Sequence, residues 1–332
     1  MKLRIIICVS LIVVVLAMVN LFVSHAQQAA GEPAQPAGNG APPLSNPLKV
    51  ALLEWYPANQ VPTYFSVGQS PDGVAFDGAN IWTANNGDGT VTKLRSSDGA
   101  ALGRFSVGGR PSGVCFDGAD IWVSDNFGSS VTKLRASDGQ VLGKFTVGHQ
   151  PYWMAFDGGS IWIANGGDGT VTKLRASDGK NLGTFNTGGS VAVAFDGRYV
   201  WVTTYHQSVV RLNQDGSSAG TFQVGHNPVG VAFDGVDIWV ANSNDNTVTK
   251  LKARDGTTLA TYDTPGSPYG IAFDGTNIWI TLPDQAALVK MRASDGTILY
   301  TPGVIGPATG IAFDGANIWT GNGIGSTTAS KL

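Results

Sequence analysis

The chain has 332 residues, with 45 glycines, 9% aromatic residues and only 14% charged residues. The glycine content is close to twice the ordinary usage of about 7%, and the charged fraction lies well below the usual ~25%. Glycine costs roughly 1 kcal/mol per helix position relative to alanine, which argues against a helical protein, and the many aromatic residues with little charge exclude a disordered chain. The 21 basic against 24 acidic residues exclude a basic nucleic-acid binder.

Residues 1–26 have the layout of a secretory signal peptide. Lys2 and Arg4 form a positive start, an apolar run covers 5–19, and small residues precede a cleavage site after Ala26. We expect cleavage there and export of the chain, either to the outside of the cell or to the cell envelope, which is the periplasm in a Gram-negative organism. The alternative is an uncleaved membrane anchor, because apolar residues resume before the cleavage site.

Cleavage would leave a mature chain with one cysteine, Cys115, because Cys8 departs with the signal peptide. A single cysteine cannot form an intrachain disulfide, so the stability of the exported protein must come from packing. Residues 27–47 are rich in Pro, Ala and Gly without periodicity, which is typical of a spacer. Residues 48–332 remain as one domain.

Seven copies of one tripeptide run through that domain. Successive copies of Phe-Asp-Gly are spaced by 40, 40, 39, 38, 40 and 40 residues. Their phenylalanines are Phe76, Phe116, Phe156, Phe195, Phe233, Phe273 and Phe313. Each is followed six residues later by a tryptophan: Trp82, Trp122, Trp162, Trp201, Trp239, Trp279 and Trp319. A period of about 40 residues is typical of propeller blades or of two-helix repeats.

The local sequence of each repeat separates these options. Short runs such as VAFDG, NIWTAN, TVTKLR and LGRFSVG are rich in Val, Ile, Thr, Phe and Trp, which strands prefer. DG, NG and GG pairs separate the runs and favour hairpin turns over helices. Four short strands per repeat predict an all-β fold, a seven-bladed β-propeller with four-stranded blades.

The two ends of the repeat region predict how the ring closes. The last repeat stops at Leu332 without a fourth strand, and an unpartnered strand, TYFSVG over 63–68, precedes the first complete repeat. We therefore expect residues 63–68 to complete the last blade as its outer strand, which gives 28 strands in all.

The repeat phrases resemble a known family. VANSNDNTVTKL (240–251) and GSPYGIAFDGTNIWITL (266–282) are similar to the YVTN-type propeller repeats of secreted and surface-layer proteins. The repeat spacing is also similar to that of the streptogramin (virginiamycin B) lyase propellers. The resemblance covers about 63–332 and implies the architecture; it implies little about activity, because propellers carry many unrelated functions.

The recurring aspartates and tryptophans are interpreted as structural. Asp-Gly in the FDG turns and in the third turn of most repeats is ordinary turn chemistry, and the seven tryptophans fit large fillers between blades. With the four strands of a blade named A to D, these turns share one face of the ring. The B–C loops and the D–A connections between blades form the opposite face, where the repeats differ and where we expect function.

Aromatic and charged side chains collect on that face in repeats two to four and six. The expected ligand-binding residues are Arg110, Phe127, Tyr152, Trp153, Tyr205, His206 and Tyr269. Trp153 stands out because it replaces a glycine that five other repeats carry three residues before Phe; its alternative role is a plug in the channel. Rigid loops with Trp, Tyr and Arg suit recognition, of a sugar or an extended peptide.

Three residues are weak candidates for catalysis: Asp125, His149 and His206. The streptogramin lyases carry an acid three residues after the repeated Trp, and the resemblance implies a C–O lyase with a divalent metal. Here only Asp125 keeps an acid at that position, and the repeats contain no glutamate. His149 and His226 occupy equivalent positions on blades three and five, with His206 on blade four between them. Sheets spaced by roughly 10 Å place blades three and five too far apart to favour a shared metal.

We therefore interpret the protein as a secreted, non-catalytic binding or scaffolding propeller. Its expected partner is an extracellular carbohydrate or peptide, or a surface protein, and no cofactor, metal, nucleic acid or membrane contact beyond the signal peptide is expected. We expect a monomer. The alternatives are the lyase and a purely structural component of the cell surface, tethered by the spacer.

Overall fold

The computed structural model of the protein describes residues 62–332, which form 28 β-strands and a single 3₁₀ turn, Pro283–Gln285. The strands are β1 (Thr63–Ser66), β2 (Pro71–Phe76), β3 (Asn80–Asn85), β4 (Thr90–Arg95), β5 (Ala101–Ser106), β6 (Pro111–Phe116), β7 (Asp120–Asp125), β8 (Ser130–Arg135), β9 (Val141–Thr146), β10 (Pro151–Phe156), β11 (Ser160–Asn165), β12 (Thr170–Arg175), β13 (Asn181–Asn186), β14 (Val193–Phe195), β15 (Val200–Thr203), β16 (Ser208–Leu212), β17 (Ser218–Gln223), β18 (Pro228–Phe233), β19 (Asp237–Asn242), β20 (Thr247–Lys252), β21 (Thr258–Asp263), β22 (Ile271–Phe273), β23 (Asn277–Leu282), β24 (Ala287–Arg292), β25 (Ile298–Tyr300), β26 (Ile311–Phe313), β27 (Ile318–Gly321) and β28 (Thr328–Lys331).

These strands form seven antiparallel sheets of four strands each, which confirms the predicted seven-bladed β-propeller. Each of the first six blades consists of four consecutive strands, beginning with β2–β5. The predicted signal peptide, the spacer and the start of the domain lie outside the described residues. No helix within 62–332 is long and apolar enough to cross a membrane.

The seventh blade closes the ring with both ends of the domain. Its sheet has the order β26, β27, β28, β1, and Thr63 to Ser66 pair antiparallel with Lys331 to Thr328. The pairing continues beyond β1, because the Val67 N–H donates to the Thr327 carbonyl at 2.9 Å. The predicted closure by the strand at 63–68 is therefore confirmed.

The apolar core lies between neighbouring blades. Seven buried clusters fill the seven interfaces of the described ring, each combining side chains from two adjacent sheets. In the first interface, Trp82 and Val91 of blade one pack with Ile121, Val123 and Leu134 of blade two. The repeated tryptophans are buried fillers, as the sequence predicts.

Each FDG aspartate holds the tryptophan of its own blade. All seven indole N–H groups donate to Oδ2 of that aspartate at 2.7–2.8 Å, as Trp82 does to Asp77. A cation from the third strand lies over each indole. Lys93 Nζ lies 5.1 Å from the centroid of the Trp82 ring and donates to the Ala136 carbonyl of the next blade at 2.6 Å. The aspartates therefore do more than turn the chain: they fix the side chains that join one blade to the next.

Glycines on the innermost strands let the blades approach one another around the axis. A Cβ on Gly73 would overlap the Ser112 carbonyl oxygen of the next blade, and a Cβ on Gly270 would overlap the Thr309 carbonyl oxygen. The same holds at Gly113, Gly230 and Gly310. Space is therefore tight at these five glycines, which lie three residues before the FDG phenylalanine of their blade.

Candidate functional site

A cavity of about 160 Å³ lies on the axis of the ring, enclosed by the inner strands. Its wall is mostly glycine and small aliphatic residues, such as Gly73, Val74 and Gly310. Trp153 is the one aromatic residue in that wall. The cavity is therefore narrow, with both polar and apolar wall surface, and Trp153 lines it at the position where five other blades carry glycine.

Trp153 contacts an aromatic side chain of another blade. The Trp153 indole crosses to blade six and meets the Tyr269 ring edge-on, with 5.4 Å between centroids.

Two further tyrosines stand beside this pair. A Cβ on Gly166 would lie 2.8 Å from Tyr205 Oη and about 3.0 Å from the Tyr152 ring, so both phenols lie against Gly166. Tyr152 is half-buried, and Tyr205 is 47% exposed. We call Tyr152, Trp153, Tyr205 and Tyr269 the aromatic mouth of the channel. The structure thus brings together four of the seven predicted ligand-binding residues.

Asp72 is the charged residue at this end of the channel, and sequence reasoning did not select it. It occupies in blade one the position that Tyr152 and Tyr269 occupy in blades three and six. Its carboxylate accepts a hydrogen bond from Ser112 Oγ of blade two at 3.1 Å. Burial raises the pKa of the Asp72 carboxyl, and the hydroxyls of Thr309 and Ser112 oppose that shift to a smaller extent.

Burial also affects the pKa values of Tyr269 and Tyr205. Burial raises the pKa of Tyr269, and the negative charge of Asp72 raises it further. Burial also raises the pKa of Tyr205, with a smaller contribution from Tyr152. The phenols of Tyr205 and Tyr269 are therefore neutral hydrogen-bonding groups at physiological pH.

Two of the three remaining predicted binding residues, Arg110 and Phe127, lie together at the rim of the same face. The Arg110 guanidinium lies 4.6 Å from the centre of the Phe127 ring, which is 69% exposed. Phe127 and His149 line one shallow groove with Ser129, whose hydroxyl lies 2.9 Å from His149 Nδ1. We call Arg110, Phe127 and His149 the rim group. It presents an apolar ring beside polar groups but no enclosed cavity.

Asp125, the leading catalytic candidate, is occupied by its own loop. The residue is 5% exposed, and its Oδ1 accepts the backbone N–H of Arg110 at 2.9 Å. In blades one and three the equivalent hydrogen bond is made by an aspartate of the B–C loop: Asp88 accepts the backbone N–H of Gln69, and Asp168 accepts that of His149. Blade two has Gly128 where those aspartates stand, so Asp125 replaces them in holding the loop.

The histidines are not brought together. His206 is exposed, and its backbone N–H donates to Thr204 Oγ1 at 3.1 Å. His226, in the position equivalent to His149, pairs with Asp245 at 2.8 Å. Over residues 62–332, no three His, Cys, Asp or Glu side chains are grouped so that they could hold a metal ion.

This ring of seven four-stranded blades defines the protein as a seven-bladed β-propeller with an aromatic channel mouth. Among solved structures it is similar to a streptogramin B lyase, with a TM-score of 0.71 and 19% identity over 82% of this chain and 96% of the lyase chain. It is also similar to the hydrazine synthase of Kuenenia stuttgartiensis, with a TM-score of 0.70 and 17% identity over 79% of this chain and 95% of the other.

These likenesses confirm the predicted resemblance to streptogramin lyase propellers at the level of the fold. The two enzymes carry different chemistry on that fold, so the fold selects no activity for this chain. No protein family model matches the chain, and no curated protein matches it.

Proposed function

We propose that the protein is a secreted, non-catalytic binding module whose ligand docks on the aromatic mouth. The observation that carries the proposal is the substitution of one channel glycine by Trp153, in edge contact with Tyr269 and next to Tyr152 and Tyr205. A side chain that only closed the channel would be buried in it, whereas Tyr205 at the entrance is half-exposed.

The composition of the mouth supports recognition of an extended, partly polar ligand. Flat aromatic faces supply most of the contact area, and the phenol hydroxyls and the Asp72 carboxyl supply hydrogen bonds that fix orientation. A sugar ring and an extended peptide both present alternating apolar and polar surface of this kind. The closed ring holds these side chains rigidly, which lowers the entropy cost of binding.

Labelled protein on glycan and peptide arrays tests the proposal. We expect binding to one chemically related set of ligands, weakened by Tyr205→Ala in the mouth. Leu142→Ala serves as the matched control, because Leu142 is comparably exposed, at 42%, on the outer strand β9 away from the channel. A ligand that binds Tyr205→Ala and the native protein equally would place recognition elsewhere, and binding abolished only by Phe127→Ala would place it on the rim group. No binding on either array would favour the purely structural alternative.

The lyase alternative is supported by the likeness of fold to the streptogramin B lyase. Such a reaction needs a base beside a carbon acid and a group that stabilises the resulting negative charge. Asp125 is held by Arg110 and lies 3.4 Å from Lys144 Nζ, which leaves its carboxylate little freedom to act as that base. Incubation with a streptogramin B and Mg²⁺, followed by liquid chromatography, decides the point: we expect no ring opening, and opening that depends on Asp125 would establish the lyase.

A further inference from the structure

We propose that the channel mouth binds its ligand through an alkylammonium group, with Asp72 as the counter-ion and the aromatic mouth as the wall of the site. The inference rests on the proposed binding function and names the chemical class of the ligand. It follows from two independent features of the mouth, an unpaired carboxyl group and a set of aromatic faces.

The first feature is the absence of a protein cation at Asp72. Within the described part of the chain, no Lys, Arg or His nitrogen lies within 4.0 Å of its carboxylate. Its neighbours are neutral: Ser112 donates a hydrogen bond, and Thr309 lies on the blade-seven side. Asp72 thus has hydroxyl neighbours but no protein counter-charge, and a cationic ligand would supply one.

The second feature is the chemistry of the surrounding rings. A cation is attracted to the negative face of an aromatic ring, most strongly to Trp and then to Tyr, and quaternary ammonium ligands are bound by sets of such rings. Trp153 and Tyr269 cross the channel, and Tyr152 and Tyr205 complete the set. Of these rings, Trp153 also lines the axial cavity.

The same features argue against an anionic ligand. The mouth contains no basic side chain; Arg110 belongs to the rim group, where it covers Phe127. An anion would face the Asp72 carboxylate without compensation. A neutral sugar would be accepted by the phenol hydroxyls but would leave the carboxylate without a counter-charge.

Calorimetric titration of the protein with choline tests the inference, with 3,3-dimethylbutan-1-ol as the neutral molecule of the same shape. We expect saturable binding of choline and at least about tenfold weaker binding of the alcohol, the size expected for a desolvated cation on aromatic faces. Asp72→Asn keeps the shape and removes the charge, and we expect it to weaken choline binding by about tenfold or more. Asp263→Asn, at an exposed aspartate of the outer strand β21, is the matched control and leaves affinity unchanged.

The pH dependence of choline binding to the native protein supplies a second readout that needs no variant. The groups that face Asp72 are Ser112 and Thr309, which do not titrate, and the phenol of Tyr269, which is neutral throughout the range. Choline binds the ionised carboxylate, so affinity falls as pH falls through the raised pKa of Asp72. An affinity that is constant from pH 4 to 8 overturns the inference.

Peptides with trimethyllysine or with unmodified lysine identify the source of the alkylammonium group. Binding of the trimethyllysine peptide alone assigns the group to a modified protein. Binding of choline alone assigns it to a small molecule. If choline and both peptides fail while an array ligand binds in a manner that depends on Tyr205, this inference is wrong and the binding module stands. If all of them fail, both proposals are wrong.

Discussion

Ser124 Oγ of blade two donates a hydrogen bond of 2.6 Å to the carbonyl oxygen of Tyr152 in blade three. The same hydroxyl accepts the N–H of Gly113 at 2.7 Å, so it joins the inner strands of two blades directly below the mouth. Thr203 and Thr281 repeat this arrangement in blades four and six. The backbone that carries Tyr152 and Trp153 is therefore held from the neighbouring blade, which gives the mouth its rigid base.

The first prediction concerns the glycines of the innermost strands. Gly270→Ala places a methyl group against the Thr309 carbonyl oxygen, so the blades must separate, and we expect a loss of about 1–3 kcal/mol in the free energy of unfolding. Gly159→Ala is the matched control, because its Cβ would meet its nearest neighbour only at 3.9 Å and its backbone has no positive φ. Urea denaturation measures both variants, and equal midpoints would contradict the packing of the inner strands.

Ring closure makes the second prediction. A chain that begins at Gln69 lacks β1, which exposes Trp319, whose ring packs 5.2 Å from Phe65, and leaves β28 as an open edge. We expect its melting temperature to fall by on the order of 10 °C or more, the shift that a loss of several kcal/mol produces in a domain of this size. A chain that begins at Pro62 is the control, and the fall in melting temperature is measured against it. Equal melting of the two truncated chains would show that β1 does not close the ring.

The third prediction concerns Asp72. Whether Asp72→Asn raises or lowers the melting temperature distinguishes a functional residue from a structural one. Its pKa is raised in the folded state, so the folded protein holds the proton more tightly than the unfolded chain and loses stability as pH rises through the folded pKa. Asp72→Asn removes this penalty while keeping an acceptor for Ser112. We expect a higher melting temperature for the variant at pH 8 and a gain that shrinks towards pH 4. A variant that is less stable at pH 8 would make Asp72 a structural residue.

Cys115 makes the fourth prediction. The thiol is buried, and burial raises its pKa to about 12, so the reactive thiolate is scarce. We expect a thiol reagent such as DTNB to label Cys115 at neutral pH only as fast as the protein unfolds, and immediately in denaturant. Rapid labelling of the folded protein would contradict the packing of blade two.

The ring was predictable because its signals are local and repeated. Each FDG turn and its tryptophan lie within one blade, and seven copies make a chance match implausible. The mouth was partly predictable, since Trp153 interrupts a pattern of glycines and its neighbour Tyr152 is adjacent in the chain. Comparing repeats with one another was sufficient for these.

Contacts between blades were not predictable, because their partners are about one repeat or more apart. Asp72 is bound by Ser112, 40 residues later, and only the closed ring places it near Tyr269. The one available signal was that Asp72 is the sole charged residue at its repeat position. The structural role of Asp125 was not predictable either: it matches a family acid by spacing, and its hydrogen bond to the Arg110 N–H reflects the glycine at Gly128, where blades one and three carry an aspartate.

Trp153→Gly tests the central claim most directly, because it restores the residue that five other blades carry. The account predicts that the variant folds and melts close to the native protein, and that its affinity for the array ligand falls by about 2 kcal/mol or more, the scale of an interface hot spot. Affinity and melting are measured on the same preparation by calorimetry. A variant that unfolds, or one that folds and binds the ligand as tightly as the native protein, would show that Trp153 only plugs the channel.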